Sequence, residues 1–141
     1  MPTFVLKTEP STYSFADLVR AGSTVWDGIT NNAALQYLRT ARVGDEVLIY
    51  HTGDERAIVG LAKVTVAPHE DPKKPGKTPK GEPKFAVIGL KAEKAAASPV
   101  SLETMKADKR FAEFLLVTHG RLSVMPVPAA VDAAIRKLAG L

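Results

Sequence analysis

The sequence predicts an α+β fold, in which a small curled sheet or β-barrel is flanked by short helices. Segments such as EVLIYHT and AIVGLAKVTV are rich in apolar and β-branched residues, which is typical of strands. The segment NNAALQYLRTA instead carries apolar residues at helical spacing. Because strands of hairpin type alternate with short helices along the chain, an α+β architecture is favoured.

Length and composition indicate a single domain over residues 1–141. A chain of 141 residues can close one hydrophobic core, and its 45% hydrophobic and 24% charged residues fit a globular protein. The absence of cysteine excludes a disulfide framework, thiolate metal ligands and a cysteine nucleophile. The start MPTFVLKTEP lacks the form of a signal peptide, and no apolar run is long enough to span a bilayer. We therefore expect a cytoplasmic protein that makes no membrane contact and acts as a monomer.

The first half of the chain predicts one strand, two short helices and a hairpin. TFVLK predicts the first strand, and Ser14 has the form of an N-cap for a short helix over residues 15–20. Asn31 or Asn32 caps the helix within NNAALQYLRTA. EVLIYHT and AIVGLAKVTV form a hairpin around the loop TGDER, and Gly60 indicates a bulge or a close backbone approach.

The second half begins with an exposed loop over residues 68–84, named here the lysine loop. KFAVIGLKAE predicts the next strand, SLETMKAD and RFAEFLLV are helical patterns, and RLSVMPV is strand-like. A closing helix is expected over residues 128–138, with Gly140 at its end.

Positive charge is concentrated in the lysine loop. The net charge is +4, and a flexible basic segment can follow a phosphate backbone without reading its sequence. The same composition also suits a loop that is merely soluble, so we assign it an auxiliary role. The phosphate contacts expected there are Lys73, Lys74, Lys77 and Lys80.

Several kinds of chemistry find no support in the sequence. His51, His69 and His119 are far apart and show no paired ligand pattern, so no metal site is expected. No G-x-S-x-G elbow and no glycine-rich phosphate loop occurs. Lys7 and Glu9 lie two residues apart on one strand face, where they form either a pocket mouth or an exposed ion pair.

The segment VWDGITNNAA holds the only tryptophan of the chain. Trp26 is either a core residue or an aromatic wall that faces a ligand. Its neighbours are short, polar and turn-forming, which favours a half-exposed ring on which a base can stack. The nearby asparagine side chains offer both a donor and an acceptor to a base edge.

Several stretches together resemble the EVE domain family of the PUA-like superfamily, the thymocyte nuclear protein-like group. They are FVLKTEPSTYSFADL, WDGITN, VGDEVLIYH, IVGLAKV, DP at residues 71–72, and RLSVMPV, and they occur in the family's order over essentially the whole chain. The resemblance implies a small β-barrel with flanking helices and a pocket that binds a modified base in DNA or RNA. By analogy with the related YTH readers, it implies binding without catalysis or a cofactor.

Matching positions give the site residues that this resemblance implies. Trp26 would be the wall and Asn31 a hydrogen-bond partner of the base, and Arg121 would be a phosphate or structural contact. Tyr13, Tyr37, Tyr50 and Phe85 stay open as the second aromatic residue. The remaining positions expected around the pocket are Lys7, Glu9, Pro10, Tyr50, His51, Leu122 and Ser123.

Two other functions remain open at this stage. An enzyme similar to ASCH-type amidohydrolases would use Lys7 and Glu9 to hydrolyse an acylated nucleoside, and would need the two side chains within hydrogen-bond reach. A protein-interaction module would show a broad exposed apolar patch in place of a deep pocket.

Overall fold

The computed structural model describes residues 2–141, which form one mixed six-stranded sheet with helices packed around it. The strand order across the sheet is β2-β5-β4-β3-β1-β6. Strands β1 and β3 pair in parallel, and every other neighbouring pair is antiparallel. The strands are β1 (Thr3–Thr8), β2 (Ser23–Trp26), β3 (Glu46–His51), β4 (Ala57–Glu70), β5 (Ala86–Ser101) and β6 (Val124–Pro126).

Five α-helices and one 3₁₀ turn connect these strands within the described residues. The predicted caps are confirmed: the Ser14 side chain accepts from the Asp17 backbone N–H, and the Asn31 side chain accepts from the Ala34 N–H. The helices are α1 (Phe15–Ala21), α2 (Asn32–Leu38), α3 (Leu102–Lys106), α4 (Leu115–Thr118) and α5 (Ala129–Ala139), and the 3₁₀ turn is Lys109–Phe111. No helix within residues 2–141 combines the length and the apolar character needed to cross a bilayer.

The predicted α+β class is confirmed, but the closed barrel is not. Strands β2 and β6 are the two edges of the sheet, and no pairing joins them among residues 2–141. Both edge strands are short, with four and three residues, so each offers few backbone groups for closure. The sheet is therefore open.

Strands β4 and β5 run further than the sequence pattern predicts. Strand β4 continues to Glu70, so residues 68–70 of the predicted lysine loop belong to the strand. Strand β5 continues past KFAVIGLKAE to Ser101, through an alanine-rich stretch of low strand propensity. Pairing with β4, such as Gly60 with Ala95 and Ile58 with Val100, holds this stretch extended. Tertiary pairing therefore overrides local propensity here.

Gly60 allows helix α1 to pack closely on the sheet. A Cβ atom at this position would overlap the Phe15 ring, which is itself buried. The pairing register of β4 also shifts next to Gly60, against both β3 and β5. The bulge and the close approach predicted for this glycine are both confirmed.

Candidate functional site

The site that the fold builds is a cavity of about 700 Å³ at the carboxyl end of β1, named here the Trp26 cavity. The chain segments that line it are residues 7–9, 12–13 and 24–31, together with Ser123. Parallel pairing of β1 with β3, and antiparallel pairing of β1 with β6, bring Lys7 and Ser123 to one edge of this cavity. The backbone N–H of Lys7 donates to the Ser123 carbonyl at 3.0 Å.

Trp26 is both a core residue and a wall of the cavity. It ends strand β2, pairs with Ile88 of β5, and is only 8% exposed. The Tyr13 ring meets the indole edge to face, with centroids 5.8 Å apart and an interplanar angle of 87°. Such a pair stabilises beyond the area it buries. The half-exposed ring expected from its neighbours is therefore wrong, because Trp26 is a core residue of which only a small part borders the cavity.

Tyr13 is the one of the four aromatic candidates that lines the Trp26 cavity. Its hydroxyl is buried and has no hydrogen-bond partner among residues 2–141. Tyr50 is buried beneath the Lys7 ammonium, whereas Phe85 lies beneath Lys74 and Lys84. The sequence showed an aromatic residue at position 13, but only the fold shows that it contacts Trp26.

Lys7 is half-buried at the edge of the cavity. Its Nζ donates to the Gly120 carbonyl at 3.0 Å and lies 5.6 Å from the centroid of the Tyr50 ring. Burial disfavours the charged ammonium and so lowers the pKa of Lys7. The cavity therefore holds one fixed and partly desolvated cation.

Glu9 is exposed and directly follows the last residue of β1. Its Oε1 accepts from the backbone N–H and the hydroxyl of Ser11, and its Oε2 accepts from the Thr52 hydroxyl at 3.2 Å. The hydrogen bond from the Ser11 backbone contributes most to holding the pKa of Glu9 below its usual range. Lys7 and Glu9 both line the cavity, but no ion pair joins them among the residues described.

The Asn31 side chain caps α2, and the residue also lines the Trp26 cavity. The carbonyl oxygen Oδ1 accepts from the Ala34 backbone N–H at 3.0 Å and caps α2. An asparagine amide also carries two N–H donors, which this cap does not use. Asn31 is exposed and lines the Trp26 cavity, and the cap leaves both of its N–H donors unused.

Five of the residues expected around the pocket do not line it: Pro10, Tyr50, His51, Arg121 and Leu122. Leu122 belongs to the hydrophobic core, whereas Arg121 is exposed. His51 is buried, and its Nε2 accepts from the Phe15 backbone N–H at 3.0 Å. Because Nε2 is the acceptor, Nδ1 carries the proton and donates to Glu55 at 2.6 Å. The imidazole thus supports the start of α1 and does not line the cavity.

The lysine loop is tied down and is not a free segment. An isolated bridge pairs Lys77 with Pro83, and the Thr78 N–H donates to the Glu82 carbonyl at 2.8 Å. The guanidinium of Arg39, the C-cap residue of α2, donates to the carbonyls of Pro83 and Lys84. The four lysines expected to contact phosphate are all exposed, and one of them, Lys77, pairs with Glu70 at 3.3 Å.

Within residues 2–141, no group of three or more His, Asp or Glu side chains is arranged to hold a metal ion. The lining residues of the Trp26 cavity offer aromatic, amide, hydroxyl, ammonium and carboxylate groups.

Comparison with known proteins places this geometry in a family. The chain is 26% identical to rat thymocyte nuclear protein 1, in a match that covers 74% of this chain and 54% of that protein. It thus spans about half the length of the curated relatives it matches.

Two solved structures share the fold over nearly their whole length. A protein from Rhodopseudomonas palustris is 32% identical, with a TM-score of 0.88 over 99% of this chain and 94% of that one. The human THYN1 protein, in a complex with DNA that contains 5-methylcytosine, is 22% identical, with a TM-score of 0.87 over 100% of this chain and 99% of that one. The family model of the EVE domain matches residues 3–138, and the chain belongs to the EVE domain family.

Proposed function

We propose that this protein binds nucleic acid and holds a modified base in the Trp26 cavity. The observation that carries the proposal is the cavity itself. Its volume of about 700 Å³ is ample for one nucleobase, and the Tyr13–Trp26 pair forms part of its wall. The human THYN1 protein, which shares this fold, was solved with DNA that contains 5-methylcytosine.

Each lining residue has a distinct role in this proposal. Because Trp26 is only 8% exposed, the base lies against the exposed edge of the aromatic pair and does not stack on a free indole face. The unused amide N–H groups of Asn31 donate to an acceptor on the base edge, and the fixed carboxylate of Glu9 accepts from a donor. Burial of these groups around the correct base gives discrimination, since a base that lacks the matching polar atom leaves them unpaired.

The other expected residues act outside the cavity. Pro10, Tyr50, His51 and Leu122 support its walls, while Arg121 contacts phosphate near Ser123. The net charge of +4 attracts the polyanion, and the chain acts as one domain and as a monomer. The lysines of the loop that add this non-specific attraction are Lys73, Lys74, Lys77 and Lys80.

An amidohydrolase similar to the ASCH type is the second candidate. The observation in its favour is that a half-buried lysine with a lowered pKa and a carboxylate line one cavity. Against it, Lys7 bonds to the Gly120 carbonyl and Glu9 bonds to Ser11 and Thr52, and neither bonds to the other. Binding without turnover is thus the better-supported function.

The experiment is a fluorescence titration of Trp26 with modified and unmodified nucleosides and short oligonucleotides, with the same samples monitored for product. The chain has one tryptophan, so the signal has one source. We expect quenching that favours one modified base and no product. Product that disappears in Lys7→Ala would establish the enzyme instead, and no response to any nucleoside would remove the reader proposal.

The variant that tests Asn31 is Asn31→Ser. Serine caps a helix about as well as asparagine does, so α2 keeps its start while the amide donors are lost. We expect weaker binding of the preferred base with an unchanged thermal transition. Asn31→Ala would remove the cap as well, and a loss of binding in that variant would not distinguish the two roles.

A further inference from the structure

A second cavity of about 340 Å³ lies between α2 and the lysine loop, and we name it the basic cavity. Its charged lining residues are all cationic: Arg39, Lys77 and Lys84. Asn32, Gln36 and Thr78 add uncharged polar groups, and no carboxylate-bearing residue lines it. The lining is therefore suited to an anion.

Two of the three cations in the basic cavity have no carboxylate partner within the described residues. Arg39 is half-buried, and its Nε and Nη2 donate to the carbonyls of Pro83 and Lys84 at 2.8 and 2.9 Å. These neutral acceptors fix the guanidinium plane without cancelling its charge. The Lys84 ammonium lies 5.5 Å from the centroid of the Phe85 ring and forms no ion pair among residues 2–141. Lys77 forms only the partly exposed pair with Glu70.

The backbone around the basic cavity is pre-organised. The Lys84 N–H donates to the Gly76 carbonyl at 3.1 Å, and the Gly81 N–H donates to the Thr78 carbonyl at 2.8 Å. Arg39 joins this small hairpin to α2. A ligand that enters here does not have to order the chain first, which lowers the entropic cost of binding.

The basic cavity adjoins the Trp26 cavity at the start of α2. Asn31 lines the Trp26 cavity, and the next residue, Asn32, lines the basic cavity. The two cavities are therefore lined by consecutive residues at the start of α2.

We propose that the basic cavity binds the backbone phosphodiester next to the base held in the Trp26 cavity, through Arg39, Lys77 and Lys84. The placement beside a bound base rests on the proposed function, whereas the phosphate binding does not. This site differs from the diffuse attraction of Lys73, Lys74 and Lys80 because Lys77 and Lys84, although exposed, line one cavity with the half-buried and fixed guanidinium of Arg39. It sets the strand's position relative to the base pocket.

The first test compares Lys84→Gln with Lys94→Gln for binding of a single-stranded oligonucleotide. Lys84→Gln removes one cavity charge and keeps the backbone hydrogen bonds of residue 84. Lys94 is exposed on β5 and lines neither cavity, so Lys94→Gln is a control with the same change of charge. We expect Lys84→Gln to weaken binding about 3- to 10-fold and to reduce the slope of log K against log salt by about 0.7. Equal effects of the two variants would overturn the proposal.

A second variant places the opposite charge in the same recess. Gln36→Glu introduces a carboxylate on the exposed face of α2, where it does not affect the core. We expect a loss of affinity at least as large as that of Lys84→Gln, with an unchanged thermal transition. Unchanged affinity in a folded Gln36→Glu protein would also overturn the proposal.

The position of the phosphate is tested with oligonucleotides in which one linkage at a time is a neutral methylphosphonate. In the wild type, we expect a neutral linkage next to the modified base to weaken binding more than a neutral linkage elsewhere. In Lys84→Gln, the same neutral linkage should weaken binding little further, since the mutation and the neutral linkage remove the same contact. Equal losses at every linkage would show diffuse attraction and overturn the proposal.

Two further experiments distinguish a phosphodiester site from a site for free phosphate and from the base-binding proposal. A titration with inorganic phosphate, followed by the amide resonances of residues 77–84, tests a site for the free ion. A response to the ion without any methylphosphonate effect would overturn the phosphodiester assignment. A modified nucleoside has no phosphate, so it tests the Trp26 cavity alone. If no nucleoside quenches Trp26 fluorescence, the proposed base binding is wrong. If oligonucleotide affinity still depends on Lys84 in that case, the phosphate site remains supported.

Discussion

The Nε2 atom of His51 accepts a hydrogen bond from the backbone N–H of Phe15 at 3.0 Å, across 36 residues of sequence. Phe15 is the first residue of α1, where backbone N–H groups have no partner within the helix. The imidazole is buried and is held from its other side by Glu55. His51 therefore satisfies a helix terminus and couples α1 to the end of β3.

Removal of this imidazole should destabilise the fold. We expect His51→Ala to lower the free energy of unfolding by about 1–3 kcal/mol, because it leaves a buried N–H without an acceptor. Urea denaturation of both proteins measures this difference. His51→Gln is the matched control, since its side-chain oxygen can take the place of Nε2, and it should recover much of the loss. Equal stabilities of wild type and His51→Ala would contradict the role assigned to the hydrogen bond.

The local elements were predictable because their signals lie close together in the sequence. The N-caps Ser14 and Asn31 precede helices that the spacing of apolar residues already indicates. Gly60 indicated a close approach in advance, but the partner, the Phe15 ring, was not identifiable because the contact joins two distant segments. Strand β2 was missed, since its four residues follow a turn and are held extended by pairing with β5.

The candidate site was predictable in part, for the same reason. Trp26, Asn31, Lys7, Glu9 and Ser123 line the cavity as the resemblance implied. A resemblance in sequence identifies matching positions along the chain. It does not show which side chains of a strand point into the core and which line the cavity. The place of Arg39 in the basic cavity could not be predicted from the sequence, because its hydrogen-bond partners lie in a loop more than 40 residues away.

Substitution of Gly53 by alanine should displace the Glu9 carboxylate from its hydrogen bonds. Gly53 has a φ of +76°, and a Cβ atom there would lie 2.8 Å from Oε2 of Glu9. Gly28 has a similar φ of +83°, but open space surrounds it. We expect Gly28→Ala to cost about 1–2 kcal/mol of stability from backbone strain alone, and Gly53→Ala to cost more. NMR titration of the carboxyls should show the pKa of Glu9 returning toward 4.5 only in Gly53→Ala.

Glu9 should also contribute a pH-dependent part of the stability. Its pKa is lower in the folded state than the ordinary value of 4.5, so unfolded chains bind more protons as the pH falls. The stabilisation is fully present above pH 4.5 and is lost as the pH falls through the lowered value. We expect the difference in unfolding free energy between wild type and Glu9→Gln to shrink over this range. A difference that stays constant between neutral and acid pH would contradict this linkage.

The Tyr13 hydroxyl is buried beside Trp26 and has no hydrogen-bond partner among residues 2–141. Burial of an unpaired hydroxyl costs about 1–3 kcal/mol, so Tyr13→Phe should raise the free energy of unfolding by about 1 kcal/mol. If the bound base supplies the missing partner, the same variant should bind the modified nucleoside about 2- to 10-fold more weakly. Urea denaturation and Trp26 fluorescence measure the two effects on one sample. A gain in stability together with a loss of affinity would show that the hydroxyl binds the ligand. A gain in stability with unchanged affinity would show that the hydroxyl makes no contact with the ligand.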